Sequence, residues 1–249
     1  MPSFSEIDLI LAALMFCGAA LYTSVGHAGA SAYIAIMGLF GVAAEVMRPT
    51  ALALNIIVSG FSATRYALNK LTDWRVLWPF VAGAAPMAFI GGGIQLPGDV
   101  YKPLVGVVLW IAAARLLWPG AAIAAQPPRP VPVWAGVAIG AGIGLLSGLT
   151  GTGGGIFLSP ILLFAGWAET RRASGTVAVF ILANSVFGLA GNAASVRALP
   201  DALPLFAVAV FAGALVGTQF GIKLLPTKGI QRALAVVLVI AGAKLVGAF

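Results

Sequence analysis

The chain has 249 residues, of which 61% are hydrophobic and 8% charged, and its formal net charge is +7. A soluble domain carries about a quarter charged residues, so this composition excludes a water-exposed globular surface and indicates an integral membrane protein. The charge does not indicate nucleic-acid binding, because the Lys and Arg residues lie between apolar runs and form no basic patch with interleaved aromatic residues.

Ten apolar runs follow one another along the chain, separated by polar or proline-containing breaks. They lie at 8–23, 31–44, 49–67, 76–95, 101–118, 132–147, 154–167, 173–192, 203–223 and 229–248. We therefore predict an all-α membrane protein with about eight to ten membrane segments. Consecutive prolines cannot continue a helix, so the stretch 121–130 is predicted to link a first unit, 1–120, to a second unit, 131–249.

The two predicted units align with each other at a near-constant offset. The matching pairs are Gly26 with Gly151, Gly29 with Gly154, Pro79 with Pro204, and Arg48 with Arg172. Five segments in each unit is an odd number, so the second copy must point the opposite way across the bilayer. The pattern predicts two inverted repeats, an arrangement typical of secondary transporters.

The basic residues predict the orientation of these repeats. Only Arg48, Lys102, Arg197 and Lys244 fall on one side of the predicted topology, and the other ten of the 14 basic residues fall on the opposite side. Because cytoplasmic loops are enriched in Lys and Arg, the side with ten should be cytoplasmic. We expect a multi-pass protein of the cell inner membrane with both termini extracytoplasmic.

The first two apolar runs of each repeat are short, and a glycine-rich stretch separates them, 24–31 in the first repeat and 150–155 in the second. Their unpaired backbone N–H groups would be costly in lipid, so we expect these stretches inside the protein, as broken or re-entrant helix pairs. The start of a helix after each stretch would favour an anion. The alternative is that the glycines only allow helices to pack closely.

These considerations define a set of residues expected to contact substrate. They are Gly26, His27, Ala28, Gly29, Asn55, Gly151, Thr152, Gly153, Gly154 and Asn184. For His27, the functional interpretation is a donor to the anion or a proton-coupling group, and the alternative is a structural hydrogen bond to a backbone carbonyl. For the polar residues of the third segments, the alternative is simple helix-to-helix hydrogen bonding.

Arg48 and Arg172 begin the third segment of their respective repeats. We expect them to attract the anion at the two mouths or to act as gate charges. The alternative is interfacial anchoring by snorkelling, with the neighbouring Glu45 and Glu169 available as ion-pair partners. No catalytic residue or metal ligand set is expected.

The second glycine stretch resembles a known family motif. Gly151-Thr152-Gly153-Gly154-Gly155, followed by Ser159-Pro160 and by the stretch 171–176, is similar to the hallmark of the TauE/SafE sulfite-exporter family, also called the toluene sulfonate uptake permease family. The first repeat departs from that motif at His27-Ala28-Gly29-Ala30. The resemblance covers nearly the whole chain and implies transport of sulfite or of small organosulfonates such as sulfoacetate, with no enzyme activity and no cofactor.

We therefore expect a secondary transporter of small sulfur-containing anions that works by alternating access around a midplane site. A passive anion channel and a carrier of a non-sulfur anion are the alternatives. An intramembrane enzyme is disfavoured, because one His, one Cys and no acidic residue in the interior of a segment leave little to build a catalytic site from. The partners expected are the anion and the lipid bilayer, without nucleic acid, and a homodimer is compatible with the sequence.

Overall fold

The computed structural model describes residues 4–24, 26–117, 128–223 and 228–247. Secondary structure in these ranges is entirely helical. The helices are α1 (Glu6–Thr23), α2 (Ala30–Leu39), α3 (Ala44–Leu68), α4 (Trp74–Gly93), α5 (Gly98–Leu117), α6 (Val133–Thr150), α7 (Gly155–Phe164), α8 (Thr170–Gly191), α9 (Leu203–Lys223) and α10 (Lys228–Val246), with a 3-10 helix at Ala193–Ala198 between α8 and α9.

The helices confirm the predicted all-α membrane fold. Seven of those in the described ranges are long and apolar enough to cross a membrane. The helices α2 and α7 have only 10 residues each, or about 15 Å at 1.5 Å per residue, half of the roughly 30 Å of hydrocarbon. Each predicted run corresponds to one helix, whereas the 3-10 helix was not predicted. Most of the predicted linker, 121–130, lies outside the described residues.

The boundary between α2 and α3 differs most from its prediction. The helix α2 ends at Leu39, five residues before the predicted end of its run at 44, and α3 begins at Ala44, five residues before the predicted start at 49. The sequence pattern placed the break here because Glu45 and Arg48 are charged. The structure instead buries Arg48 within the first turns of the helix, where protein acceptors surround its guanidinium group.

Two long helices, α4 and α6, pack side by side and run in the same direction. Gly83 of α4 lies against Val137 of α6, and Gly91, two turns later, lies against Leu145. A Cβ atom at either glycine would collide with the backbone of the opposite helix. Glycine at these positions therefore lets the two backbones approach closely, as in many membrane helix pairs.

The equivalent helices of the two halves form an equivalent pair, α9 with α1. Gly213 lies against Phe16, and Gly217 lies against Ala20, so these helices also run in the same direction. The helix α9 corresponds to α4 in the repeat, and α1 corresponds to α6. Each half therefore packs its fourth helix against the first helix of the other half. The fold is therefore compatible with the inverted repeat, which stays a prediction.

The third helices of the two halves, α3 and α8, run antiparallel. They are the most buried of the membrane-length helices in the described ranges. Arg48, near the start of α3, contacts Asn192, which directly follows α8. At the opposite end, Asp73 follows α3 and contacts Arg172, near the start of α8. The two arginines therefore lie at opposite ends of the α3–α8 pair.

The short helices begin partway along this core. A Cβ atom on Gly154, directly before α7, would lie 2.7 Å from Cγ2 of Ile143. Ile143 lies about two turns before the end of α6. In the same way, Ala32 of α2 packs against Gly18, more than one turn before the end of α1. The chain after α1 and after α6 thus turns back alongside its own helix before the short helix starts.

Candidate functional site

Two glycine turns, the first turn at 26–29 and the second turn at 151–154, precede the short helices. Gly29 has φ +104° directly before α2, and Gly154 has φ +76° directly before α7. Residues that carry a side chain rarely adopt this left-handed backbone conformation. Glycine is therefore required where the chain reverses into each helix. The sequence match between these two positions therefore reflects the same backbone requirement in both halves.

The two turns meet inside the protein. His27 Nε2, in the first turn, lies 3.1 Å from the carbonyl oxygen of Gly155, the first residue of α7. A carbonyl oxygen can only accept, so Nε2 carries the proton of this hydrogen bond. The contact is the structural hydrogen bond that was the alternative to substrate binding by His27. It also ties the first repeat to the helix start of the second.

Asn55, in the middle of α3, contacts both turns. Its Oδ1 accepts a hydrogen bond of 3.1 Å from the backbone N–H of Ala30, the first residue of α2. Its Nδ2 donates to Ser185 Oγ at 3.3 Å and packs directly against Gly153 of the second turn. The side chain is fully buried. Asn55 therefore caps the start of α2 while it positions the second turn.

Asn184, on α8, lies beside the second turn, but unlike Asn55 its side-chain amide makes no hydrogen bond within the described part of the chain. The side chain is fully buried, and neither Nδ2 nor Oδ1 has a hydrogen-bond partner in the described part of the chain. A Cβ atom at Gly154 would lie 3.0 Å from Nδ2, so the amide faces the residue that precedes α7. Buried polar groups are nearly always paired in folded proteins, which makes this amide a candidate ligand-binding group.

Thr152 is held within its own turn. Its Oγ1 lies 3.0 Å from Thr150 Oγ1, and the Thr150 hydroxyl donates to the carbonyl oxygen of Leu146 at 2.7 Å. Because the Thr150 proton is used in that bond, the Thr152 hydroxyl is the donor between the two threonines. In the first turn, the Ala28 carbonyl oxygen accepts a hydrogen bond of 2.6 Å from Tyr33 OH.

Each turn also lies against the third helix of the other half. Gly26 packs against Ser174 at the start of α8, and Gly151 packs against Arg48 at the start of α3. These contacts connect the two halves in the same way on both sides, which is consistent with their matched positions in the sequence.

Arg48 belongs to a buried group that we call the Arg48 cluster: Arg48, Gly92, Ile94, Leu149 and Asn192. The arginine is 4% exposed. Nη2 donates to Gly92 O at 2.7 Å and to Asn192 Oδ1 at 2.8 Å, and Nη1 donates to Ile94 O at 2.8 Å. A longer contact of 3.4 Å joins Nη1 to Leu149 O.

The partners of Arg48 lie at the carboxyl ends of three helices, α4, α6 and α8. Each such end carries a partial negative charge of about half an electron, so three helix ends compensate the buried cation without a carboxylate. The guanidinium group is thus held by the protein rather than by the lipid interface.

Arg172 has a much looser environment. Its side chain is 55% exposed and lies 3.9 Å from Asp73 rather than beside Glu169. An exposed ion pair at this distance contributes little to stability. The two arginines that match in sequence therefore differ in structure, one fully engaged and one facing outward.

The structure brings together His27, Asn55, Gly153, Gly154 and Asn184 from the predicted set. Arg48 and Arg172 lie apart from them, at the two ends of the α3–α8 pair. In the described ranges, no group of three or more His, Cys, Asp or Glu side chains could hold a metal ion.

Three residues with clear roles were missed by the sequence reasoning: Tyr33, Thr150 and Asn192. The sequence contains a weak indication for Asn192, because a polar amide residue stands at the end of the apolar run 173–192. Thr150 could have been identified as a polar residue directly before the second glycine turn. Nothing in the pattern around Tyr33 distinguishes it from a core aromatic residue.

Comparisons with known proteins identify a family and a relative that are similar to this chain. The model of the family described as "Sulfite exporter TauE/SafE" matches residues 10–245. A relative from Sinorhizobium fredii, described as "Probable membrane transporter protein y4hK", is 39% identical over 238 residues, which cover 94% of this chain and 96% of the relative. No solved structure matches the chain significantly.

Proposed function

The chain belongs to the sulfite exporter TauE/SafE family and is a multi-pass membrane transporter, and from this premise we propose that it carries small sulfur-containing anions, sulfite or small organosulfonates. The proposal includes alternating access around the meeting point of the two glycine turns. The family description supports the substrate class. The site itself supports only a small ligand that accepts hydrogen bonds from neutral donors.

One observation carries the proposal: a buried, unpartnered Asn184 amide lies against Gly154, at the amino-terminal end of α7. The N–H groups at a helix start point outward and bear partial positive charge, so they favour an anion. The site lies in the protein interior, between the antiparallel helices α3 and α8. A ligand would therefore have to enter it from one side of the membrane at a time.

The difference between the two arginines supports alternating access. The end of the α3–α8 pair that holds the Arg48 cluster is sealed by four hydrogen bonds to one buried guanidinium group. The other end has only the exposed contact of Arg172 with Asp73. The Asn184 side chain is fully buried, so the site is closed on both sides in this conformation. We infer that the more weakly held Arg172 side opens in one state of the cycle and the Arg48 side in the other.

The charge distribution supports an orientation in the inner membrane with the Arg172 side cytoplasmic, because ten of the 14 basic residues lie on that side of the predicted topology. Both termini are then extracytoplasmic. In this orientation, opening of the Arg172 side would admit substrate from the cytoplasm, as export requires.

Counterflow in proteoliposomes tests the carrier proposal. Vesicles loaded with unlabelled sulfite should accumulate labelled sulfite transiently, and the small sulfonate isethionate should compete whereas acetate and chloride should not. Thr152→Val, which removes the hydroxyl of the second turn, should lower the initial rate. The matched control is Thr64→Val. Thr64 is exposed on α3, and its hydroxyl group donates to the carbonyl oxygen of Gly60 within the same helix.

Each outcome has a definite meaning. Rapid equilibration without counterflow would identify a passive channel. Counterflow driven by an unrelated anion but not by any sulfur anion would keep the carrier mechanism and refute the substrate class.

A further inference from the structure

The glycines that precede α2 and α7 match in sequence, but the side chains around the first backbone N–H groups of the two helices differ. At α2, Asn55 Oδ1 accepts from the Ala30 N–H at 3.1 Å, and the Tyr33 hydroxyl group packs against Gly29. The protein therefore fills this helix start with its own side chains. A ligand would have to displace the amide that caps the helix.

At α7 the equivalent place has no such internal cap. In the described ranges, no side chain accepts a hydrogen bond from the first N–H groups of α7, and its preceding residue, Gly154, has no side chain to do so. Asn184 faces Gly154 with its amide fully buried and unpartnered. A buried amide without partners is costly, so this arrangement indicates that the Asn184 amide binds a hydrogen-bonding ligand.

An asparagine amide presents both a donor, the NH2 group, and an acceptor, the carbonyl oxygen. Both are unpartnered in Asn184, so the conclusion holds whichever way the amide is oriented. A ligand that satisfies the whole group must itself accept and donate. A bare oxyanion with no hydrogen can satisfy the NH2 group and the helix N–H groups but leaves Oδ1 unpaired.

The charge of the surroundings restricts the ligand further. The side chains nearest to a Cβ atom at Gly153, Gly154 or Gly155 carry no ionisable group; they are Asn55, Ile143, Val177, Phe180, Ile181, Asn184 and Ser185. The titratable residue beside them, His27, donates from Nε2 to the Gly155 carbonyl oxygen. The Arg48 guanidinium group is engaged by its cluster and does not face this site. The cost of removing an ion from water rises steeply with its charge, so neutral donors favour one negative charge over two.

We propose that the protein holds its ligand at the start of α7 alone, through Asn184, and that this ligand is a singly charged oxyanion bearing a hydrogen-bond donor. Hydrogen sulfite and hydroxyl-bearing sulfonates fit this description, whereas the dianions sulfite and sulfoacetate do not. Asn55 is a positioning residue, which caps the start of α2 in the first repeat. The proposal rests on the proposed function and adds to it the chemistry that the site selects.

Two sulfonates of equal charge and similar size test the donor requirement. Isethionate carries a hydroxyl group, and ethanesulfonate carries hydrogen in its place. Calorimetric titration of the detergent-purified full chain should show isethionate binding more tightly by at least about tenfold, which corresponds to about 1.4 kcal/mol. In Asn184→Leu, which removes both polar atoms at similar volume, the two affinities should become equal within about twofold.

Thr64→Val is the control, since it also replaces a polar side chain by an apolar one but lies on the exposed face of α3. It should keep the preference for isethionate. Ethanesulfonate binding that is retained in Asn184→Leu shows that this variant is folded. Should Asn184→Leu not fold, the wild-type comparison still decides the donor requirement, and the smaller change Asn184→Ala tests the assignment of the residue.

Equal binding of the two sulfonates by the wild-type protein would overturn the donor requirement. A preference that persists in the folded Asn184 variants would overturn the role of Asn184. If the wild-type protein binds neither sulfonate nor sulfite but does bind another anion, the substrate class of the proposed function fails. That failure is distinguishable from the first two, because in them sulfonates still bind.

Discussion

Arg48 donates a hydrogen bond of 2.8 Å from Nη2 to Oδ1 of Asn192, a residue 144 positions later in the chain. Gln95 Nε2 donates to the same oxygen at 2.9 Å. One amide oxygen thus joins the carboxyl end of α8 to the start of α3 and to the segment after α4. The contact makes the two halves of the chain a single structural unit at this end of the molecule.

Arg48→Lys should destabilise the protein although it keeps the charge. A lysine ammonium group cannot reach acceptors on three helices in the planar geometry of a guanidinium group. Hydrogen bonds to charged groups contribute about 1.5–3 kcal/mol, so we expect a loss of that order. The measurement is the thermal unfolding midpoint in detergent.

Arg172→Lys is the matched control for this change. The Arg172 side chain is 55% exposed and makes one ion pair of 3.9 Å, so its replacement should cost less than about 1 kcal/mol. Similar midpoints for the two variants would contradict the structural difference between these arginines.

Gly154→Ala should impair both folding and transport. At φ +76° an alanine is strained by about 1–2 kcal/mol, and its Cβ would also meet Ile143 and Asn184 at the proposed site. We expect a lower unfolding midpoint and loss of sulfite uptake into proteoliposomes.

Gly142→Ala provides the comparison, because nothing lies within 4 Å of a Cβ atom at that position of α6. Alanine is the better helix former by up to about 1 kcal/mol, so stability should stay the same or rise. Wild-type uptake by Gly154→Ala would show that the left-handed turn is not needed.

Asn55→Leu should slow transport more than it weakens binding. The substitution leaves the Ala30 N–H and Ser185 Oγ without their partner, and an unpaired buried group costs about 1–3 kcal/mol. The start of α2 would then lose its cap, while Asn184 at the start of α7 would stay in place. The maximal uptake rate and the ligand affinity, measured separately, distinguish these effects.

Ser59→Ala controls for a lost polar group on the same helix. Its Oγ bonds only the carbonyl oxygen of Asn55 within α3, at 2.5 Å, so its removal should change the uptake rate little. A loss of affinity in Asn55→Leu as large as in Asn184→Leu would assign Asn55 to the ligand instead of to the turns.

Asn69→Cys and Arg197→Cys should be labelled from opposite sides of the membrane. Asn69 follows α3 and Arg197 lies in the 3-10 helix after α8, and the two helices run antiparallel. Both residues are exposed. In a Cys17→Ser background, an impermeant thiol reagent should reach position 197 in intact cells and position 69 only after the membrane is opened. Labelling of both positions in intact cells would refute the inverted arrangement.

The sequence by itself determined the membrane class, the order of the helices and the position of the two glycine turns. These are local properties. An apolar run of sufficient length must be helical in lipid, because its backbone groups have no other partners there. A left-handed residue before a helix requires glycine, so Gly29 and Gly154 could be identified without knowledge of their neighbours.

Only the tertiary structure decided what Arg48, Asn55 and Asn184 do. Arg48 and Arg172 match in the sequence, yet one is buried among helix ends and the other is exposed. Asn55 and Asn184 are the same residue type on equivalent helices, yet one caps α2 and the other has no partner. A polar side chain takes its role from the groups that surround it, and here several of those groups come from the other half of the chain.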